Sequence, residues 1–568
     1  MRDTSERFDV AILGGGITGL TLALQLKRAE PGLSVAVLER QAHPVPEAAH
    51  KVGESSVEVQ AHYLRDVLGL QEHLEAEQLH KFGLRMFFTH ADNTDIARRV
   101  EYGQVSEAPL SSYQLDRGRL ENALGALAAD LGVAFRQRCK VQDVDLGAAG
   151  DDHVVHVVDG TPGGAGERTL RARWVVDGTG RAGLLKRKLG LARPLGHRAN
   201  AAWFRIEYEI DVQQWSEDEE WRARVDRGLR RLSTNHLMGP GYWVWLIPLA
   251  SGSTSVGIVA EDAAHSFEGF NTLERALAWL DEHEPQCAAD VRRHRERIQD
   301  FRVMKDYAYG CQQVYSEDRW CLTGEAGVSI DPLYSSGGDL MAIGNGLITD
   351  LVLRDRRGED IVDRAAAHNQ VYLVLSEIWL VAYENQYPLM GNPQVMVAKV
   401  VWDTIIYWAV PGLLFFHDTF RRLGDSPLAF ANLQRAWQLH TRVQQFLREW
   451  HRVDDEPAAD VFADPYSLLD FLVDLHNGMA AGLDDDKLEE QFGRNVLLLE
   501  QLAGQLATTV AERLQARGAD DTTRAQIERW RADELLREAV ERFRERDAAD
   551  PIDSAWITLG TQNTAVGP

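Results

Sequence analysis

Three groups of residues have types and spacings that could do chemistry. Gly14, Gly16 and Gly19 form Gly-x-Gly-x-x-Gly, and Glu39 with Arg40 begins twenty residues after the last glycine. The first glycine permits a tight turn, the second lets backbone approach a pyrophosphate, and the third lets a helix pack on a strand. A helix opening there offers free N–H groups and a positive dipole end to phosphate, and a carboxylate at Glu39 can accept ribose hydroxyls. Trp243 and Trp245 alternate in Trp-Val-Trp-Leu-Ile-Pro, ending at Ile247 and Pro248. On a strand both indoles face one side, an arrangement equally compatible with core packing. Ser335, Ser336, Gly337 and Gly338 precede a helical stretch. Consecutive N–H groups there can form an anion nest or a simple cap.

These groups need elements to hold them. Residues 8–13 alternate short and branched apolar side chains and predict a buried parallel strand. The glycines follow, then an apolar-periodic helix over 20–28, a turn at Pro31-Gly32 and a second strand over 34–38. That β-α-β unit alone does not separate FAD from NAD. Helical patterns run over 55–79, with Glu54 and Ser55 at their opening, and a strand follows over 84–88. A helix is expected over 117–131 and strands over 134–138, 153–158 and 169–176, the last two joined by a Gly-rich turn at 160–166. Residues 201–210, 242–248 and 253–259 read as a second sheet, 319–323 as a short buried strand, and a helix starts near Gly338. Beyond about residue 360 the pattern is almost wholly helical. Leu488, Phe492, Val496, Leu499, Leu502 and Leu506 step by three and four. Gly518 ends that helix, and Thr523 with Gln526 makes a capping box for the next. Polar joints lie at 484–486 and 548–551.

Bulk properties narrow the classes. A chain of 568 residues is long enough for about two to four lobes. Its 45% apolar and 26% charged residues suit a globular protein. A formal net charge of −25 repels phosphate backbones and argues against a nucleic-acid partner, but leaves small anions open. Cys139, Cys287, Cys311 and Cys321 form no Cys-x-x-Cys pair and have no histidine cluster at metal-ligand spacing, so reduced thiols in a cytoplasmic protein and no metal are expected. The first nine residues are polar and show no signal-peptide pattern. The longest apolar stretch, 400–416, contains Asp403 and Pro411 and predicts a buried helix–turn–helix, not a membrane span.

Three segments together carry a family resemblance: Lys51-Val-Gly-Glu-Ser55, Trp243 to Pro248, and Asp331-Pro-Leu-Tyr-Ser-Ser-Gly337. With them the sequence resembles the flavin-dependent halogenases of the phenol- and pyrrole-type branch, within the FAD-dependent aromatic monooxygenases. The match spans residues 8 to about 350. It implies an α/β fold: a Rossmann-like FAD-binding domain over 1–195, an inserted substrate-side sheet over 196–300, a return over 301–360, and a helical C-terminal region over 361–568. Residues 175–180 and 322–332 resemble segments that complete a flavin site, which favours FAD. By the same resemblance Lys51, Arg117, Asp177, Glu325, Gly337 and Gly338 join Glu39, Arg40 and the glycines at the cofactor. The family usually carries Gly-Asp where this chain has Gly324-Glu325.

The resemblance also implies a chemistry. Reduced FAD, O₂ and chloride or bromide give hypohalous acid, which travels to an electron-rich aromatic substrate. Trp243, Trp245, Ile247 and Pro248 keep that substrate from the flavin. Lys81, in Lys-Phe-Gly-Leu-Arg-Met-Phe-Phe, resembles the family's Lys-x-Gly-x-x-Phe, with Phe87 one residue late, and hydrogen-bonds the acid or forms a haloamine. Ser335 accompanies the lysine, and the N–H groups of Ser336 and Gly337 receive the halide. Tyr334 stands where tryptophan halogenases have a glutamate. With one Gly-x-Gly-x-x-Gly unit, a separate flavin reductase is expected, and the substrate is a small molecule, free or carrier-tethered. Two other readings remain open: a halide-independent monooxygenase or dehydrogenase on the same scaffold, and a non-catalytic flavin-binding subunit.

Overall fold

The computed structural model describes residues 6–48, 51–148, 150–161, 166–454, 458–546 and 551–558. Most of the turn expected at 160–166, most of the joint expected at 548–551, and the first half of the polar N-terminus lie outside the described residues. The chain opens with β1 (Glu6–Leu13), α1 (Ile17–Ala29) and β2 (Val35–Leu38). A short helix α2 (Glu58–His62) and two strands, β3 (Leu84–Phe88) and β4 (Glu101–Tyr102), precede α3 (Arg117–Asp130). Strands β5 (Ala134–Arg136), β6 (Cys139–Asp145), β7 (His153–Asp159) and β8 (Gly166–Asp177) follow. Next come β9 (Ala199–Ile206), β10 (Thr234–Gly239), β11 (Tyr242–Pro248), β12 (Thr254–Glu261), β13 (Arg302–Met304) and β14 (Trp320–Leu322).

The first sheet has the order β5-β2-β1-β8-β7-β6, with β14 also paired to β8. β1 is parallel to both β2 and β8, in the register Leu13 opposite Leu38 and Asp177. Central parallel strands are covered on both faces, which is why Val10 to Leu13 are completely buried. α1 crosses over them and buries Leu20, Leu22, Leu24 and Leu26, each such side chain contributing about 1.5–3 kcal/mol. The helix starts at Ile17, one turn before its apolar periodicity becomes legible.

The second sheet runs β13-β9-β12-β11-β10-β3-β4, with β15 (Phe462–Ala463) on its far edge. It therefore draws on both sides of the expected 196–300 lobe: β3 and β4 come from the first 195 residues and β15 from the helical region. β10, which pairs in parallel with β3, went unpredicted. Its Thr-Asn-His start is too polar to read as a buried strand, yet all six residues are buried.

After α4 (Gly337–Arg356) the chain is helical: α5 (Val362–Val381), α6 (Pro393–Tyr407), α7 (Pro427–His451), α8 (Asp485–Ala516), α9 (Asp521–Ala532) and α10 (Glu534–Arg544). The expected helix–turn–helix at 400–416 is instead a near-continuous helix. Pro411 is absorbed by a wider π-type turn at Trp408–Gly412. Pro393–Phe416 is long and apolar enough to cross a membrane, but 89% of its apolar window is buried inside the protein. The cap of α9 is Asp520, whose carboxylate accepts the Thr523 N–H at 2.7 Å, so Thr523 is not the capping residue. Gly518 ends α8 with a φ of +85°, as expected.

Candidate functional site

A cavity of about 980 Å³ lies where the two sheets meet, at the upper end of cofactor sites. The glycine loop forms its floor. Gly14 has a φ of +104°, and a side chain there would meet the Gly178 carbonyl oxygen at 2.5 Å. A Cβ on Gly16 would have no atom within 4 Å, so the cavity comes directly against backbone. A Cβ on Gly19 would lie 2.0 Å from the Gly14 carbonyl oxygen; this glycine faces the strand, not the cavity. Glu39, at the end of β2, accepts the Gly15 N–H at 2.7 Å through one oxygen and the Gln41 N–H at 2.7 Å through the other. Each oxygen keeps a second lone pair for a ribose hydroxyl.

The cavity wall is basic where a pyrophosphate would run. Arg40, Lys51, Arg117 and Arg181 all line it. Lys51 and Arg117 converge on Glu121; burial works against that carboxylate, but the two cations hold it below its usual range. Glu325 lines the cavity beside Gly324, whose φ is +57°. An open glycine cradle, a ribose acceptor and a cationic wall in one large cavity fit FAD.

The second sheet supplies the opposite wall. Trp243 and Trp245 sit on β11 with ring centroids 5.7 Å apart, and both line the cavity, as does Ile247. Trp243 Nε1 donates to the Tyr387 hydroxyl at 3.0 Å. Tyr387 and Tyr307 donate to Asp331 at 2.6 and 2.5 Å, and His197 adds a contact at 2.8 Å. Burial alone would raise Asp331, but His197 and the two hydroxyls hold it below the usual carboxylate range. The Asp-Pro motif thus carries a buried anion that fixes an indole through a tyrosine of the helical region.

Lys81 follows a short strand and is 8% exposed. Its Nζ donates to Ser55 Oγ at 3.0 Å and to the Ser56 carbonyl at 2.8 Å. Ser55 lines the large cavity, whereas Lys81 lines a second cavity of about 120 Å³. The lysine therefore stands in the partition between them. Burial pushes its amine down to about 8, against the charge of Glu58. The second cavity is walled by aromatic and apolar groups of the helical region, including Trp379, Tyr407, Trp408 and Tyr466. Two other aromatics of the helical region are committed elsewhere: Trp402 donates to His440 and Phe416 stacks on His62.

Ser335, Gly337 and Gly338 line the large cavity at the start of α4, with Ser335 at a φ of +59°. Ser336 is different: its hydroxyl pairs with that of Tyr383 at 3.1 Å, so only its backbone is free to face an anion. Two expected cavity residues stand apart. Pro248 is paired opposite Thr254 and does not line the cavity. Asp177 is completely buried, its oxygens accepting from Thr179 N at 2.9 Å, Thr179 Oγ1 at 2.6 Å and Leu185 N at 2.7 Å. A carboxylate held that way shapes the Gly178–Gly180 turn and does not line the cavity.

Sequence reasoning missed three contributors. Glu54 caps no helix; it pairs with Arg205 of β9 at 3.0 Å, and that guanidinium also holds Asp116 at 3.1 Å. Thr234 shares its hydroxyl with Ser55 at 2.9 Å. His236 lines the large cavity with Nδ1 unpartnered, and burial next to Lys81 lowers it to about 3, so the imidazole is neutral. Thr234 and His236 lie on the strand that went unpredicted, and Arg205 reaches Glu54 across 151 residues.

The chain matches the FAD binding domain family model over residues 7–268. It is 25% identical over 438 residues to a flavin-dependent halogenase of Dictyostelium discoideum, covering 71% of this chain and 70% of that one. It is 27% identical over 347 residues to the 1H-pyrrole-2-carbonyl-peptidyl-carrier-protein chlorinase of Pseudomonas fluorescens, covering 58% and 72%. Among solved structures it superposes on halogenase PltM with a TM-score of 0.62 at 16% identity, covering 86% of this chain and 96% of that one. That likeness speaks to the fold.

Proposed function

We propose, from the premise that this chain is a flavin-dependent oxidoreductase related to the flavin-dependent halogenases, that it halogenates an electron-rich aromatic ring with chloride or bromide through hypohalous acid captured at Lys81. The observation that carries the proposal is the place of Lys81 in the partition between the two cavities.

The glycine loop, Glu39 and the cationic wall would hold FAD, whose reduced form would supply the two electrons that turn O₂ and halide into hypohalous acid and water. The protein's own groups do the rest. The N–H groups of Ser336 and Gly337 at the start of α4 hold the halide. Trp243, Trp245 and Ile247 occupy the ground a substrate would need to reach the flavin. Ser55 and Ser56 fix two of the hydrogens of Lys81. With the amine lowered to about 8, a fraction is neutral near physiological pH, as nucleophilic capture of halogen requires. A separate flavin reductase delivers the reduced cofactor, and the substrate is free or carrier-tethered. Four unpaired, buried cysteines support a reducing cytoplasmic setting.

The test is direct. Incubated with FAD, a flavin reductase, NADH, bromide and a resorcinol, the protein is expected to give a brominated product that requires bromide. Lys81→Met is expected to abolish that product and keep FAD bound. Oxygen added without bromide would instead identify a monooxygenase.

A further inference from the structure

Asp339 stands in the second cavity without a role in the reading above. It lies in the first turn of α4, completely buried, with Oδ1 accepting the Gln60 N–H at 3.0 Å. Among the described residues its Oδ2 makes no direct hydrogen bond, although the Tyr407 hydroxyl is close enough to act on the carboxyl, and the residue lines the cavity. Leaving a buried carboxyl oxygen without a partner is costly, and a ligand donor or acceptor would remove that cost. Its neighbour Tyr407 has its hydroxyl oxygen accepting the Val59 N–H at 3.1 Å.

Glu58 lines the same cavity, 13% exposed, with Oε1 3.2 Å from Nε2 of His476. His476 is in turn stacked on Trp408 at 4.2 Å between centroids. The two carboxyls are pushed apart. Burial holds Asp339 well above the usual carboxylate range, which favours the protonated form that can donate. Burial acts on Glu58 too, but His476 holds it below that range, so it is ionised. Such a split marks out an acid and a base in one site. Asp403, also in this cavity, is already committed to Lys399 at 2.6 Å, Gln444 at 2.6 Å and Tyr334 at 2.9 Å.

Resting on the proposed halogenation, the geometry points to Asp339 and Glu58 as the pair that binds and ionises the hydroxyl of a single-ring phenol held in this cavity beside Lys81. The volume suits one ring: about 120 Å³ is close to the roughly 150 Å³ of an apolar cavity that takes benzene. Asp339 Oδ2–H donates to the phenol oxygen, and Glu58 takes the phenolic proton as a ring carbon attacks the halogen. The Lys81 amine has already taken the halogen from hypohalous acid, releasing water, so the C–X bond forms as the N–X bond breaks. The amine regains its hydrogen as the substituted carbon loses its proton, and Glu58 returns its proton to the product oxygen.

Two measurements on FAD-loaded protein test this separately from the halogenation itself. Binding of 3-methoxyphenol and of its O-methyl ether to the oxidised holoenzyme is titrated without turnover. The wild type is expected to prefer the phenol by at least about tenfold, since a site built for a hydroxyl rejects the analogue lacking it. Asp339→Ala should erase the preference and Asp339→Asn, which keeps a donor of the same shape, should retain part of it. Equal preference in wild type and Asp339→Ala would overturn the proposal. In turnover with bromide, Glu58→Gln should lower kcat about a hundredfold with KM little changed. Its hypobromite output, read with an external dimedone trap, should match the wild type. Wild-type kcat in Glu58→Gln removes the base. Hypobromite missing from the wild type as well would sink the halogenase reading, while the binding titration still decides Asp339.

Discussion

At the scale of single residues, Lys81 has a measurable thermodynamic signature. Burial pushes its amine down to about 8 in the folded protein, from its ordinary value of 10.5. Between those two values the unfolded chain binds more protons than the folded one, so this group makes stability rise with pH across that window. Below about 8 both states are protonated, and the folded state carries the full cost of the desolvated ammonium, about 3 kcal/mol. Lys81→Met should therefore gain stability relative to wild type at pH 7, and the gain should shrink as pH climbs toward 10.5. Denaturant unfolding of the pair across pH 7 to 10 measures this; a constant difference would place the lysine in solvent. Halogenation that depends on the neutral amine should rise with pH through the same lower value. Gly14, Gly16, Gly19 and Glu39 were legible in the sequence because backbone geometry leaves few residue types for those places. The work of Asp177 was not, because a carboxylate after a strand serves a turn or a ribose equally well until its partners are seen. Asp339 was passed over for a similar reason: only burial and an unpartnered oxygen distinguish it from an ordinary first-turn acid.

At the scale of elements, β11 and the chain segment after α5 act as one device. Tyr387 lies in the short 3₁₀ turn Tyr387–Leu389 and its hydroxyl joins Asp331 to the indole of Trp243. Tyr387→Phe would leave the buried Trp243 N–H without an acceptor and take one of two tyrosine donors from Asp331. Each uncompensated polar group costs about 1–3 kcal/mol. The expected outcome is a lower denaturant midpoint together with an altered Trp243 environment in the near-UV circular dichroism. An unchanged spectrum would mean that packing alone holds the indole. Strand β11 was legible because Trp243 and Trp245 alternate among branched residues. Its neighbour β10 was not, because Thr234, Asn235 and His236 are polar, and the hydrogen bonds that settle Thr234 in the interior are made far along the chain, with Ser55 and Gln114. Pro411 misled for the opposite reason. It marks a break in an isolated helix, but the packed surroundings let the chain widen by one residue and continue.

At the scale of the whole molecule, the helical region completes the site. It walls the second cavity, supplies β15 to the second sheet, and ties back through Ser336–Tyr383 at 3.1 Å and Val59–Tyr407 at 3.1 Å. Periodicity alone could establish that this region is helical, but not where it docks, because an amphipathic face names no partner. The docking has a consequence for FAD. The large cavity is lined from both sheets and from α4, so bound cofactor stabilises all of them together. At a hundred times its dissociation constant a ligand adds about 2.7 kcal/mol to whatever unit must open to release it. If the helical region unfolds with the FAD-binding lobe, amides of α5 and α6 that exchange through global opening should slow about a hundredfold on adding FAD, although neither helix lines the cofactor cavity. Hydrogen exchange with and without FAD makes the comparison. Protection confined to α1, α4 and the first sheet would show a tail that opens by itself, and would remove the coupling through which Tyr387 holds Trp243 at the flavin wall.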